Sequence, residues 1–151
     1  MVTQSLVRIR ELMPEDLQVI LAIEYKCFKD PYPLGLLKRL HMMYPDGFLV
    51  ADAGGIVVGY VIGVVRWANT GHVLAIGVDP VYQRQGVGAM LIRKIITVFE
   101  GKKATIARLE VRKSNIEAQS FYKKLGFLDR EELPYYYEDG ETAVAMELVL
   151  K

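Results

Sequence analysis

The sequence predicts a mixed α/β (α+β) fold: one sheet flanked by helices on both faces, in the order β-αα-βββ-α-β-α-ββ. Three observations carry this expectation. The chain has 151 residues, 52% hydrophobic and 25% charged, enough to bury one core, so residues 1–151 read as a single domain. Its apolar spacing switches repeatedly between a two-residue and a near-four-residue period. Glycines and prolines stand where those switches occur.

The elements follow in chain order. Leu6-Val7-Arg8-Ile9-Arg10 alternates apolar and basic residues, as a half-buried strand does. Pro14 opens a helix whose apolar side runs through Leu17, Ile20 and Leu21 toward Cys27. Asp30-Pro31-Tyr32-Pro33 must end it, because each proline removes a donor and turns its predecessor extended. Leu34 to Met43 forms a second helix. Three strands come next, at Phe48 to Ala51, Ile56 to Trp67 and His72 to Val78, joined by turns at Gly54-Gly55 and Asn69-Thr70-Gly71 as an antiparallel meander. From Gly86 the stripe Val87, Met90, Leu91, Ile95, Val98 and Phe99 is helical and stops at Gly101. Thr105 to Val111 is a strand. Ser114-Asn115-Ile116-Glu117 has the form of a capping box, and the helix it opens ends at Gly126. Two closing strands, Phe127 to Leu133 and Ala143 to Leu150, flank a loop over Tyr135 to Glu141.

Charge and cysteine content exclude several function classes. A net charge of +1 asks for neither nucleic acid nor a membrane surface as partner. No apolar run approaches the roughly 20 residues that span a bilayer, and the N-terminus lacks the apolar core of a signal peptide. One cysteine, Cys27, excludes an internal disulfide and suits a reducing compartment, so a cytoplasmic location is expected. Cys27 itself reads as a small core residue, and no metal set stands out.

Two stretches carry chemistry. Between the strand ending at Val78 and the helix beginning near Gly86 lies Gln83-Arg84-Gln85-Gly86-Val87-Gly88. A helix start offers free N–H groups and a partial positive charge, which suits a phosphate. Gly86 and Gly88 allow close backbone approach, and Arg84 adds a cation. A nucleotide loop of the Gly-Lys-Ser/Thr type is absent, and Leu91 stands where a dinucleotide fingerprint needs its third glycine. A plain strand-to-helix turn explains the same residues.

The second stretch runs from Leu109 to Phe127. On a strand, Arg108, Glu110 and Arg112 share one face and Leu109 and Val111 the other. Glu110 is then either an ion pair with an arginine or a base raised by burial. Asn115 at a helix start, Tyr122 on an apolar stripe and His72 at a strand start each have an ordinary structural reading.

Together the two stretches resemble the GNAT N-acetyltransferase superfamily. Gln83-x-x-Gly86-x-Gly88 looks like its acetyl-CoA motif. Glu-Val-Arg, Ser-Asn, Ala, Phe-Tyr and Leu-Gly-Phe, in that order from Glu110 to Phe127, look like the RimI-like and archaeal N-terminal acetyltransferases. The resemblance covers nearly the whole chain and implies a mostly antiparallel sheet of seven strands. It implies that Ile76, Gly77 and Val78 pair with the pantetheine arm, with the Val78 amide on the thioester oxygen. Gln83, Arg84, Gln85, Gly86, Val87, Gly88 and Ala89 would hold the pyrophosphate, and Asn115 the pantetheine. Glu110 would be the general base acting through water, His72 its partner, and Tyr122 the general acid that also meets the cofactor. Phe28, Pro31 and Tyr32 would form one wall of the acceptor groove, and Tyr136 and Tyr137 the other. The implied acceptor is a protein or peptide N-terminus, a ribosomal protein among the candidates, with homodimerisation or an auxiliary subunit left open. Acetylation of a lysine or small amine, or acyl-CoA binding without catalysis, are the rival readings.

Overall fold

In a computed structural model the described residues are 6–151. Whatever the opening strand does over residues 1–5 lies outside them. The elements are β1 (Val7–Glu11), α1 (Leu17–Cys27), α2 (Leu34–Met43), β2 (Phe48–Ala53), β3 (Ile56–Arg66), β4 (Thr70–Val78), α3 (Val87–Gly101), β5 (Ile106–Arg112), α4 (Ile116–Lys124), β6 (Leu128–Leu133) and β7 (Ala143–Val149). The strands form one seven-stranded sheet in the order β1-β2-β3-β4-β5-β7-β6. Pairing is antiparallel for β1–β2, β2–β3, β5–β7 and β6–β7, and parallel for β4–β5. The chain divides into two packed units, one holding the residues up to Val64 with Val73–Val98, the other Val65–His72 with Phe99–Lys151.

In the first unit, β2 and β3 carry apolar side chains on both faces. Phe48, Val50, Tyr60 and Ile62 form a core with Leu17, Ile20 and Ile23 of α1 and Leu37 and Leu40 of α2. Alternation sends Gly59 to the other face, where a side chain would meet Leu91 of α3 at 3.2 Å. Helices therefore cover both faces, as the pattern of elements predicted. Pro14 does start the first helix, but as a 3-10 turn over Pro14–Asp16 that leads into α1.

In the second unit, Ala107, Leu109 and Val111 are buried while the intervening residues of β5 are half-buried. Tyr122 and Phe127 are also buried, their rings 5.8 Å apart and edge to face. β7 lies between β5 and β6, with Glu110 opposite Ala145. The β4 strand begins at Thr70, two residues before the expected start, because Ala68 and Asn69 both adopt positive φ, 51° and 55°, and close a two-residue hairpin. The cap of α4 also moves. Asn115, not Ser114, caps it, its Oδ1 accepting the Ala118 N–H at 3.0 Å. Ser114 is diverted because its N–H donates to the Glu141 carboxylate at 2.9 Å.

One buried acid was hidden in the α1 stripe. Glu24, 2% exposed, receives the Tyr60 hydroxyl and, at 2.7 Å, the Tyr32 N–H. Burial pushes its carboxyl above the usual range, against the pull of the Tyr32 amide. A carboxyl raised on folding contributes stability that is complete below its unfolded pKa and lost as pH rises through the folded value. Glu24→Gln keeps an acceptor for Tyr32 and cannot ionise. It should therefore melt above the wild type at neutral pH and not in acid, with about 2–4 °C for each kcal/mol recovered. Melting curves showing the same difference at both pH values would refute this.

Candidate active site

The first unit builds a turn with outward amides. Asp79 Oδ1 accepts the Val81 N–H at 3.1 Å and closes a 3-10 turn over Pro80–Tyr82. Gln83 Nε2 then donates back to the Val78 carbonyl at 2.9 Å, and Cys27 Sγ donates to the same oxygen at 3.3 Å. Arg84 and Gly86 both have positive φ, 63° and 86°. Left-handed residues in such a turn bring successive N–H groups toward one side, an arrangement that binds anions. The first helical bond of α3 is Met90 N–H to Gly86 O at 3.1 Å. The amides of Val87, Gly88 and Ala89 precede it and have no partner one turn back. The Val87 side chain is meanwhile 1% exposed and anchors the turn in the core.

The end of β4 is shaped for a backbone partner. Asp79 N–H donates to Val58 O at 2.8 Å. Because successive amides alternate sides, the Val78 N–H, one residue earlier, faces away from β3. Gly77 beside it must be glycine, since a Cβ would stand 2.7 Å from the Tyr60 ring. Ile76 is half-buried on the same strand.

The second unit builds a charged relay. Its core is Glu110, with a side chain 10% exposed. His72 Nε2 lies 2.7 Å from Glu110 Oε1, and Arg108 Nε donates to Oε2 at 3.2 Å. The parallel ladder explains the meeting: His72 is in register with Arg108, one step along the same face from Glu110. The Tyr136 hydroxyl reaches Glu110 Oε1 at 3.5 Å. Arg108 is itself held by Glu147 at 2.9 Å and Glu131 at 3.1 Å. Burial raises the Glu110 carboxyl, but the His72 hydrogen bond and the Arg108 charge outweigh it, so its pKa falls below the usual carboxylate range. Of the two meanings the sequence left open, the geometry has the ion pair.

The remaining residues belong to one unit or the other. Tyr122 is 7% exposed, and burial with the nearby Tyr137 raises its phenol far above the ordinary value. Asn115 spends Oδ1 on its cap and keeps the amide nitrogen end for another partner. Tyr137 packs beneath the Arg112 guanidinium at 4.1 Å, and burial pushes its phenol up to about 12. Arg112 also donates to Asp139 and Glu141, each at 2.9 Å, which clamps the loop carrying Tyr136. Phe28 is 41% exposed at the end of α1, and Pro31 is half-buried. Tyr32 is anchored by the Glu24 carboxyl and by its own hydroxyl, which donates to Leu74 O at 3.2 Å. Cys27 is a half-buried thiol that burial pushes up, the reverse of what a nucleophile needs. Among the described residues no cluster of His, Cys, Asp and Glu is arranged to hold a metal, and no helix is long and apolar enough to cross a membrane.

Sequence reasoning missed Arg66, which approaches His72 Nδ1 at 2.6 Å, and Glu24. Glu24 carried a readable signal, because it stands four residues after Ile20 and seven after Leu17 on the apolar stripe. Arg66 carried none.

A turn with free helix amides suits a pyrophosphate, and a strand edge with an outward amide suits the amide-bearing arm that follows it. The chain belongs to the acetyltransferase (GNAT) family, which it matches over residues 17–127. It is an N-acetyltransferase that draws its acetyl group from acetyl-CoA. It is 40% identical over 139 residues to an uncharacterised N-acetyltransferase of Methanocaldococcus jannaschii, covering 91% of this chain and 88% of that one. It is 34% identical to an N-alpha-acetyltransferase of Sulfurisphaera tokodaii, covering 92% and 90%. Among solved structures it is similar to Ard1 from Thermoplasma volcanium, with a TM-score of 0.92 at 32% identity, covering 97% and 99%.

Proposed function

We propose that residues 1–151 act as one domain that acetylates the α-amine of protein N-termini. The observation that carries this reading is the Glu110 carboxylate, kept ionised by His72 and Arg108 with the Tyr136 hydroxyl beside it. The N-alpha-acetyltransferase of Sulfurisphaera tokodaii supports the choice of acceptor.

The bound cosubstrate supplies an activated thioester acetyl group. The amides from Arg84 to Ala89 hold its pyrophosphate, the β4 residues Ile76 to Val78 pair with its arm, and Asn115 adds an amide donor. Val78 N–H is the donor we assign to the thioester oxygen. Glu110 accepts a hydrogen bond from the incoming ammonium or from the water that drains its proton. An α-ammonium titrates at about 7.7–8.0, so a carboxylate of low pKa need only guide a proton that water takes readily. Glu110 stays ionised throughout the neutral range. The rise of kcat/KM with pH should therefore follow the peptide amine, shifting when the amine's own pKa is changed. Tyr122, held as a neutral phenol, donates a hydrogen bond to the departing sulfur. Tyr136, Tyr137, Phe28, Pro31 and Tyr32 are the residues we assign to the peptide.

The test is a panel of peptides varied at their first two residues, alongside N-terminally blocked peptides with an internal lysine, read by mass spectrometry. Acetyl groups on free N-termini are expected. Acetylation confined to lysine side chains or polyamines would refute the reading.

A further inference from the structure

Arg66 is an unusual arginine. It stands at the end of β3, just before the two-residue hairpin, and its guanidinium lies 4.4 Å from the Trp67 ring centroid. Among the described residues it has no carboxylate partner, and its Nε is buried without a hydrogen bond. Its one polar contact is NH2 to His72 Nδ1 at 2.6 Å. Arg66 as a whole is half-buried, and burying the Nε–H without a partner costs stability.

The contact has a chemical consequence. A guanidinium carries five N–H donors and no acceptor. His72 Nδ1 must therefore be the acceptor, which leaves the ring proton on Nε2. That nitrogen faces Glu110 Oε1 at 2.7 Å and donates to it. Reversing the tautomer would set an N–H against Arg66 and a lone pair against the carboxylate. The groups facing His72 and Glu110 are Arg66 from the end of β3, Arg108 from β5 and Tyr136 from the loop before β7, and all are donors in this arrangement.

We propose that Arg66 is a positioning residue that locks His72 in its neutral Nε2–H tautomer, making His72 a hydrogen-bond donor to Glu110. This rests on the reading of Glu110 as the group that receives the amine's hydrogen bond. His72 then orients the carboxylate and takes no proton from the substrate itself.

The first measurement is nitrogen NMR of the full chain, in which His41 is the one other histidine. Wild type should show His72 protonated on Nε2 alone at neutral pH. Arg66→Met should give a mixture of ring states, and Arg66→Lys, which still offers only donors, should restore the wild-type pattern. In turnover, Arg66→Met should lower kcat by about tenfold to a hundredfold with KM for acetyl-CoA unchanged. His72→Gln retains an acceptor for Arg66 and a donor for Glu110 and serves as the reference background, whatever its own turnover. In that background the loss caused by Arg66→Met should shrink sharply, because glutamine has no tautomer to lock. A purely structural Arg66 would cost the same in both backgrounds, and that result would overturn the proposal. So would a His72 spectrum that Arg66→Met leaves untouched. If Glu110→Gln instead keeps full turnover, the catalytic reading falls, while the nitrogen spectrum still decides the Arg66 contact.

Discussion

Replacing Glu110 with glutamine is expected to lower kcat by about 10²-fold, within the usual range for a positioned proton-transfer group, while acetyl-CoA affinity stays at the wild-type level. The carboxylate receives His72 Nε2, Arg108 Nε and the Tyr136 hydroxyl. A glutamine has one acceptor oxygen and one donor nitrogen, so either His72 or Arg108 meets a donor. The acceptor that an ammonium or its water would use is lost, and about 1–3 kcal/mol of stability goes with the mismatched donor. Melting curves separate that loss from catalysis, since a folded variant with wild-type cofactor affinity and low turnover isolates the chemical role. Calorimetry showing loss of acetyl-CoA binding would make Glu110 structural. The linkage sign is also set. Glu110 is depressed on folding, so its stabilising contribution is complete above its unfolded pKa and lost as pH falls through the lower folded value. Glu110→Gln should therefore be less stable than the wild type at neutral and alkaline pH and converge with it in acid, flattening the acid side of the profile.

Gly86→Val is expected to act on the other step, so that acetyl-CoA binding fails first. Gly86 has a φ of 86° and its carbonyl accepts the first helical bond of α3. A β-branched residue there costs about 1–3 kcal/mol of backbone strain. If the turn escapes that strain by leaving its binding conformation, Kd rises about 5- to 150-fold. Asparagine tolerates the left-handed region better, so Gly86→Asn should fall between wild type and Gly86→Val. Turnover at saturating acetyl-CoA should survive in both. Equal affinity across the three proteins would show that the Gly86 conformation does not matter to the cofactor.

Much of the scaffold was readable because periodicity reports which face a residue occupies. The alternation of Ala107, Leu109 and Val111 with Arg108, Glu110 and Arg112 placed Glu110 on the polar face of its strand, and the structure keeps it there. What periodicity cannot report is register. His72 meets Glu110 because Thr70–His72 pair with Ile106–Arg108, a match made by the sheet and invisible in either segment. Arg66 joins through a hairpin whose Ala68 adopts positive φ, a conformation that alanine does not advertise. The Ser114 box failed for a related reason. The local pattern was correct, but Glu141, 27 positions away, had taken the Ser114 amide. Tyr136 was legible as one of a tyrosine pair, while its approach to Glu110 depends on the Arg112 clamp.

That clamp makes the loop an exchangeable cassette. Arg112 grips Asp139 and Glu141, and Glu141 also holds Ser114. Tyr135, Tyr136 and Glu138 can then be varied as a library while Tyr137, Asp139 and Glu141 are retained, so that any change in acceptor preference is read against one frame.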